Sequence, residues 1–172
     1  MAINVYFEDV EVGQEIPGFT RRTDLMNWNR YAAVNDEFIP IHMDDEAGRQ
    51  WQNERGAFGM GNLRTAYIHN MVRNWAGDEA DIREVTIQFR AINQKNDLLT
   101  TTGKVVEKTV VGDDHLVRID TNVVNQDGAG TAPGYVVVVL PSKDGDRVGD
   151  SGKPLGSVNQ FLVARRVVGD DA

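Results

Sequence analysis

Apolar positions recur with one period in the first half of the chain and with another in the second. Leu25, Trp28, Tyr31 and Ala32 fall at helical intervals and predict a helix from residue 25 to about 34. Thr23 or Asp24 can open it, because a short polar side chain accepts from the free first-turn amides, and Asn35-Asp36 is its stop. Pro40 then imposes an irregular loop, after which Asp44 or Asp45 opens a short second helix to Gln50. The glycine-rich stretch Arg55-Gly56-Ala57-Phe58-Gly59-Met60-Gly61 leads into the longest helical pattern. There Met60, Leu63, Tyr67, Met71 and Trp75 share one side, Ala66, Ile68 and Val72 widen it, and Gly77 ends it. Ahead of all these, residues 4–16 read as an entry segment with a turn at Gly13, followed by a strand through Phe19 and Thr20.

From Ile82 the period drops to two. Val85, Ile87 and Phe89 alternate with polar neighbours, 99–108 is rich in Thr and Val, and 116–124 alternates around Val117, Ile119 and Val123. Residues 135–140 are apolar throughout, as in a strand covered on both faces. Asn96-Asp97, Gly112-Asp113-Asp114 and Asp127-Gly128 supply the turns. Helices followed by a meander of four strands give an α+β domain over 1–141. Pro141 ends it; 142–156 reads as a Gly-, Asp- and Lys-rich linker, and 158–168 as a tail that docks as a strand, meets a partner or stays disordered.

Composition removes several kinds of chemistry. With a net charge of −8 the chain offers no concentrated basic surface for nucleic acid or an anionic membrane. No apolar run approaches the ~20 residues of a bilayer span, and the N-terminus has no basic-then-apolar leader pattern, so a soluble cytoplasmic protein is expected. The absence of Cys excludes thiolate nucleophiles and Cys-ligated zinc. The three serines, Ser142, Ser151 and Ser157, all lie in the terminal stretch, where a Ser-His-Asp nucleophile is out of place. His42, His69 and His115 have no metal-binding spacing, and neither a metal nor a cofactor is expected.

Two stretches carry candidate chemistry. In Asn35-Asp36-Glu37-Phe38-Ile39-Pro40-Ile41-His42-Met43-Asp44, carboxylates and a histidine share one Pro-bent loop. Such a pair suits adding or removing water without a covalent intermediate; equally, His42 can be a capping or core histidine with the acids solvated. The glycine loop before the long helix offers unpaired amides to a carbonyl oxygen that becomes an oxyanion, or merely permits a tight turn. His69 is expected on the polar side of the long helix with Asn62, Thr65 and Arg73. His115 is expected at the surface, and Arg90 outward at a strand end.

In their order these motifs resemble the MaoC-like (hydratase 2) branch of the hot-dog superfamily. The matching pieces are the Phe7–Gly13 opening, Asp36 to Asp44 for a Gly-Asp-Phe-Asn-Pro-Ile-His-x-Asp signature, and Ala57-Phe58-Gly59-Met60 for Ala-His-Gly-Met. Phe89-Arg90-Ala91 and the Asn96-Asp97 turn follow. The resemblance implies a long central helix wrapped by an antiparallel sheet, two such units joined edge to edge, and a substrate that is an acyl thioester of coenzyme A or acyl carrier protein. It also implies addition or removal of water across the 2,3 double bond. By position His42 is the family histidine and Gly59 the oxyanion donor, flanked by Phe58 and Met60. Glu37 stands where the family has aspartate, and Asp36 serves if the loop is one residue longer. Ile39 replaces the family Asn, Phe58 the His, and Ile92 a Pro. These departures keep two alternatives open: a non-catalytic acyl-binding or partner subunit of a hot-dog assembly, and an acyl thioesterase using Glu37 or Asp36.

Overall fold

In the computed structural model, which describes residues 4–144, the periodicity change divides a helical half from a sheet that folds around it. The elements in order are β1 (Glu15–Ile16), β2 (Thr20–Arg22), α1 (Leu25–Asn35), α2 (Asp45–Gln50), β3 (Phe58–Gly59) and α3 (Gly61–Ala76). Then come β4 (Asp81–Ile87), β5 (Asn93–Gln94), β6 (Leu98–Val111), β7 (Asp114–Val124) and β8 (Gly134–Val139). Short 3-10 turns cover Phe7–Asp9 and Pro40–His42.

The helix ends follow the expected chemistry. Asp24 Oδ1 accepts from the Asn27 amide at 2.9 Å, and Asp44 Oδ2 from the Ala47 amide at 2.7 Å. Asp36, left-handed at φ 52°, closes α1. Gly77 closes α3 at φ 89°, where a side chain would be strained.

The main sheet is antiparallel in the order β1-β6-β7-β8-β4, with β2 also on β6. The meander expected from the sequence therefore holds for β6, β7 and β8 only. β4 pairs beyond β8, Asp81 opposite Val139 through Ile87 opposite Gly134, and stops at Ile87 rather than reaching Phe89. α3 lies on one face, where Ile68, Met71, Val72 and Trp75 pack against Leu99, Val105, Val117, Ile119, Val136 and Val138. Gly103 lets it approach, since a Cβ there would stand 2.7 Å from Ile16 and 3.0 Å from Met71. On the opposite face Val137 and Val139 join Leu116 in a smaller cluster, so β8 is covered on both sides as its sequence predicted. That burial occurs within one chain.

A second apolar cluster, Trp28, Ala32, Ala57, Met60 and Leu63, fastens α1 to the start of α3. Ser142 and the Lys143 amide hydrogen-bond to the Glu8 carboxylate at 2.6 and 3.1 Å, and the Lys143 ammonium pairs with Asp9. The remainder of the expected linker and the 158–168 tail lie outside the described residues. Among the described residues no helix is long and apolar enough to cross a membrane.

Candidate active site

The Pro-bent loop delivers His42 inward. Pro40 occupies the first position of a 3-10 turn, where a missing N–H costs nothing, and the turn carries His42 into a site where it is only 7% exposed. Its Nδ1 lies 2.7 Å from the carbonyl oxygen of Phe58. A carbonyl only accepts, so Nδ1 carries a proton, and the tautomer this bond selects has its lone pair on Nε2. The Phe58 ring stands edge-on to the imidazole at 5.1 Å and meets Trp51 at 5.6 Å. The turn thus tucks the His42 ring against β3, and of the loop's candidate residues His42 is the buried one.

The glycine loop is clamped from several directions. The Asp45 carboxylate accepts from the Ala57 amide at 3.0 Å and from the Lys95 ammonium at 2.6 Å, and Lys95 above all holds that carboxyl below the usual range. Asn53 and Gln94 exchange amide hydrogen bonds of 3.1 and 2.9 Å, which fix the loop to β5. β3 and β5 then pair, Phe58 opposite Gln94 and Gly59 opposite Asn93. A Cβ on Gly59 would lie 1.8 Å from Asn93 Nδ2 and 2.8 Å from Trp28 Nε1, so only glycine fits. α3 begins two residues later with no side-chain cap, and its first-turn amides carry the positive end of the helix dipole.

These pieces border a cleft of about 350 Å³. His42, Trp51, Phe58, Gly59, Gly61 and Arg64 line it together with residues 89–92. A larger groove of about 630 Å³ over β1, β2, β6 and β7 is lined by five threonines among other residues and has neither a histidine nor a helix start. Of the two, the smaller cleft is the one lined by a histidine and by the start of α3.

The sequence candidates separate here. His42, Phe58 and Gly59 line the cleft together. Met60 does not; it is fully buried in the α1–α3 cluster. Glu37 and Asp36 are also absent from the lining. Glu37 accepts from Asn35 Nδ2 at 3.0 Å and from Asn62 Nδ2 at 3.4 Å, beside the first turn of α3, and Asp36 is exposed at the end of α1. His69 is exposed as expected, and Arg90 is exposed at the cleft, bonded to Gln88. His115 is half-buried, with its ring 5.0 Å from that of Phe7. Among the described residues no group of three His, Asp or Glu side chains is placed to hold a metal.

Sequence reasoning missed Arg64. It is 3% exposed, donates from Nη1 to the Ala91 and Thr131 carbonyls at 2.6 and 3.0 Å, and lies 5.0 Å from the centre of the Phe89 ring. Burial lowers its pKa to about 10, which leaves it cationic at neutral pH. Its spacing, four residues after Met60 and four before Ile68, was the available signal.

No protein-family model and no curated protein matches the sequence. Solved structures do match. The chain is similar to an R-hydratase from Pseudomonas aeruginosa (23% identity, TM-score 0.72, covering 81% of this chain and 88% of that one). It is similar to a MaoC-like dehydratase from Rhodospirillum rubrum (19%, TM-score 0.69, 81% and 99%). It is also similar to a chain of the ChsH1–ChsH2 complex from Mycobacterium tuberculosis (20%, TM-score 0.67, 76% and 98%). The α+β hot-dog fold implied by the sequence motifs is the fold of this chain.

Proposed function

We propose that this chain is a hydratase or dehydratase of acyl thioesters. The observation that carries the reading is the His42–Phe58 bond, which orients an imidazole in a cleft that also contains Gly59 and the uncapped start of α3. In hydration, His42 Nε2 takes a proton from water as the water oxygen bonds to the β-carbon. The double-bond electrons move toward the carbonyl, whose oxygen gains negative charge opposite the Gly59 amide and the helix start, and the α-carbon then takes that proton from the His42 imidazolium, which restores the base. Dehydration runs the same steps backwards. Glu37, which Asn62 holds beside the first turn of α3 and outside the cleft lining, is proposed as the acidic partner and Asp36 as its substitute, with Phe58 beside the oxyanion position. The thioester of coenzyme A or of a carrier protein is the proposed substrate.

We place the protein in a homodimer or larger assembly, with a different hot-dog partner as the other arrangement. Among the described residues β4 ends the sheet with one side unpaired, and Phe38, Ile39, Trp51, Phe89 and Ile92 are exposed apolar side chains. Sedimentation showing a stable monomer at micromolar concentration would count against this.

Incubation with crotonyl, longer enoyl and steroid-side-chain thioesters tests the activity through loss of enoyl absorbance. Binding without hydration favours the non-catalytic subunit, and release of free thiol favours the thioesterase.

A further inference from the structure

Among the described residues, the cation in the cleft has no counter-ion. Arg64 Nε is buried and, among the same residues, has no partner. Both carbonyl bonds use Nη1, so Nη2 also makes none among the described residues. No described carboxylate lies within ion-pair distance of the guanidinium, in a chain with 26 acidic residues against 18 basic ones.

Burying an unpaired charge is costly, and two backbone carbonyls could be tied by a neutral amide at less cost. The position of the group matters as much as its charge. Arg64 lies in the first turn of α3, on the wall shared by His42, Gly59 and Gly61, so its field adds to that of the helix dipole. Gly61 allows Phe89 to close over this turn, since a Cβ there would stand 2.7 Å from the ring; the guanidinium is thereby screened from bulk water. A planar fork with free donors, held rigid and dry, suits a planar anion.

We propose that Arg64 anchors a carboxylate carried on the acyl group of the substrate, so that the cleft selects acidic acyl thioesters over neutral ones. This deepens the acyl-thioester reading of the same cleft and rests on it. Arg90 is exposed and bonded to Gln88, and serves at most as a secondary attraction at the mouth.

The test uses saturated thioesters, which cannot be hydrated, so binding is read apart from catalysis. The glutaryl and pentanoyl thioesters of N-acetylcysteamine are titrated while the emission of Trp51, which lines the cleft, is followed. The wild type is expected to bind the glutaryl compound on the order of tenfold more tightly, the usual scale for a hydrogen-bonded charge. Arg64→Gln should bring the two within about twofold of each other, and Arg64→Lys should keep part of the difference. Equal binding by wild type overturns the proposal without needing any variant to fold. A preference that survives Arg64→Gln overturns it too. An Arg64-dependent preference for 4′-phosphopantetheine over pantetheine, with none for the glutaryl compound, assigns the anion to the carrier's phosphate and overturns the acyl carboxylate. Hydration is scored separately on enoyl thioesters. Glutaryl preference with no hydration removes the hydratase reading and leaves this one; hydration with no preference does the reverse.

Discussion

His42 donates its Nδ1 proton to the Phe58 carbonyl across 2.7 Å, which ties the loop histidine to the strand that precedes the central helix. One bond thus sets the tautomer of the base and closes the loop on the glycine segment. His42→Ala is expected to lower kcat for enoyl-thioester hydration by roughly 10²-fold or more, the scale of a lost general base. It should also destabilise the fold by about 1–3 kcal/mol, because a buried carbonyl loses its donor. His42→Asn, whose amide reaches the same carbonyl, should recover stability and not activity. Thermal denaturation beside steady-state kinetics separates the two effects.

The acidic partner is tested by two amides. Glu37→Gln is expected to lose activity on a scale similar to His42→Ala, roughly 10²-fold. Asp36→Asn should be mild in both activity and stability, since Asn accepts the left-handed backbone of that position. The reverse ranking in kcat would move the acid one residue along the loop.

Gly59→Ala meets the Asn93 side chain and not open space. Overpacking of this kind costs about 1–3 kcal/mol, read as a lower denaturation midpoint in urea. Asn93→Gly in the Gly59→Ala background should relieve the Asn93 part of the clash and leave the Trp28 contact, and a double-mutant cycle would show the coupling.

Glu8 sets an acid limit on the closure of the domain's end. The Ser142 hydroxyl, followed by backbone amides, lowers its pKa from 4.5 to about 2. A carboxyl depressed in the folded state contributes stability above its unfolded value and loses it as pH falls through the folded one. The difference in melting temperature between wild type and Glu8→Gln should therefore be full above pH 4.5 and shrink toward pH 2. A constant difference across that range would show that the exposed carboxylate contributes nothing through its charge.

The sequence carried what is local. Helix starts at Asp24 and Asp44, the stop at Gly77, the two-faced burial of β8 and the glycine loop are each written in a few neighbouring residues. The position of β4 beyond β8 is not, because alternation marks a strand without naming its neighbour. The pairs β1 and β3 form with later strands span only two residues each, too short for any period. His42 was legible as a residue type beside Pro40, but its burial depends on a carbonyl sixteen residues away. Arg64 was read past because a charged side chain among apolar ones passes for solvent-facing; the groups that hold it inside, Ala91 and Thr131, lie 27 and 67 residues further on.

The strand order also fixes a sequence of events in time. β6 and β7 are joined across two residues, Gly112 and Asp113, and a closure that short loses little chain entropy. β8 can then add to a finished edge. β4 is synthesised before all three yet has to wait for β8, and the 89–92 wall of the cleft hangs from its end. The scaffold therefore assembles first and the cleft closes on it last. In the native state amide exchange is expected to follow the same hierarchy, slowest in β6 and β7 and faster in the 89–92 segment that closes the cleft.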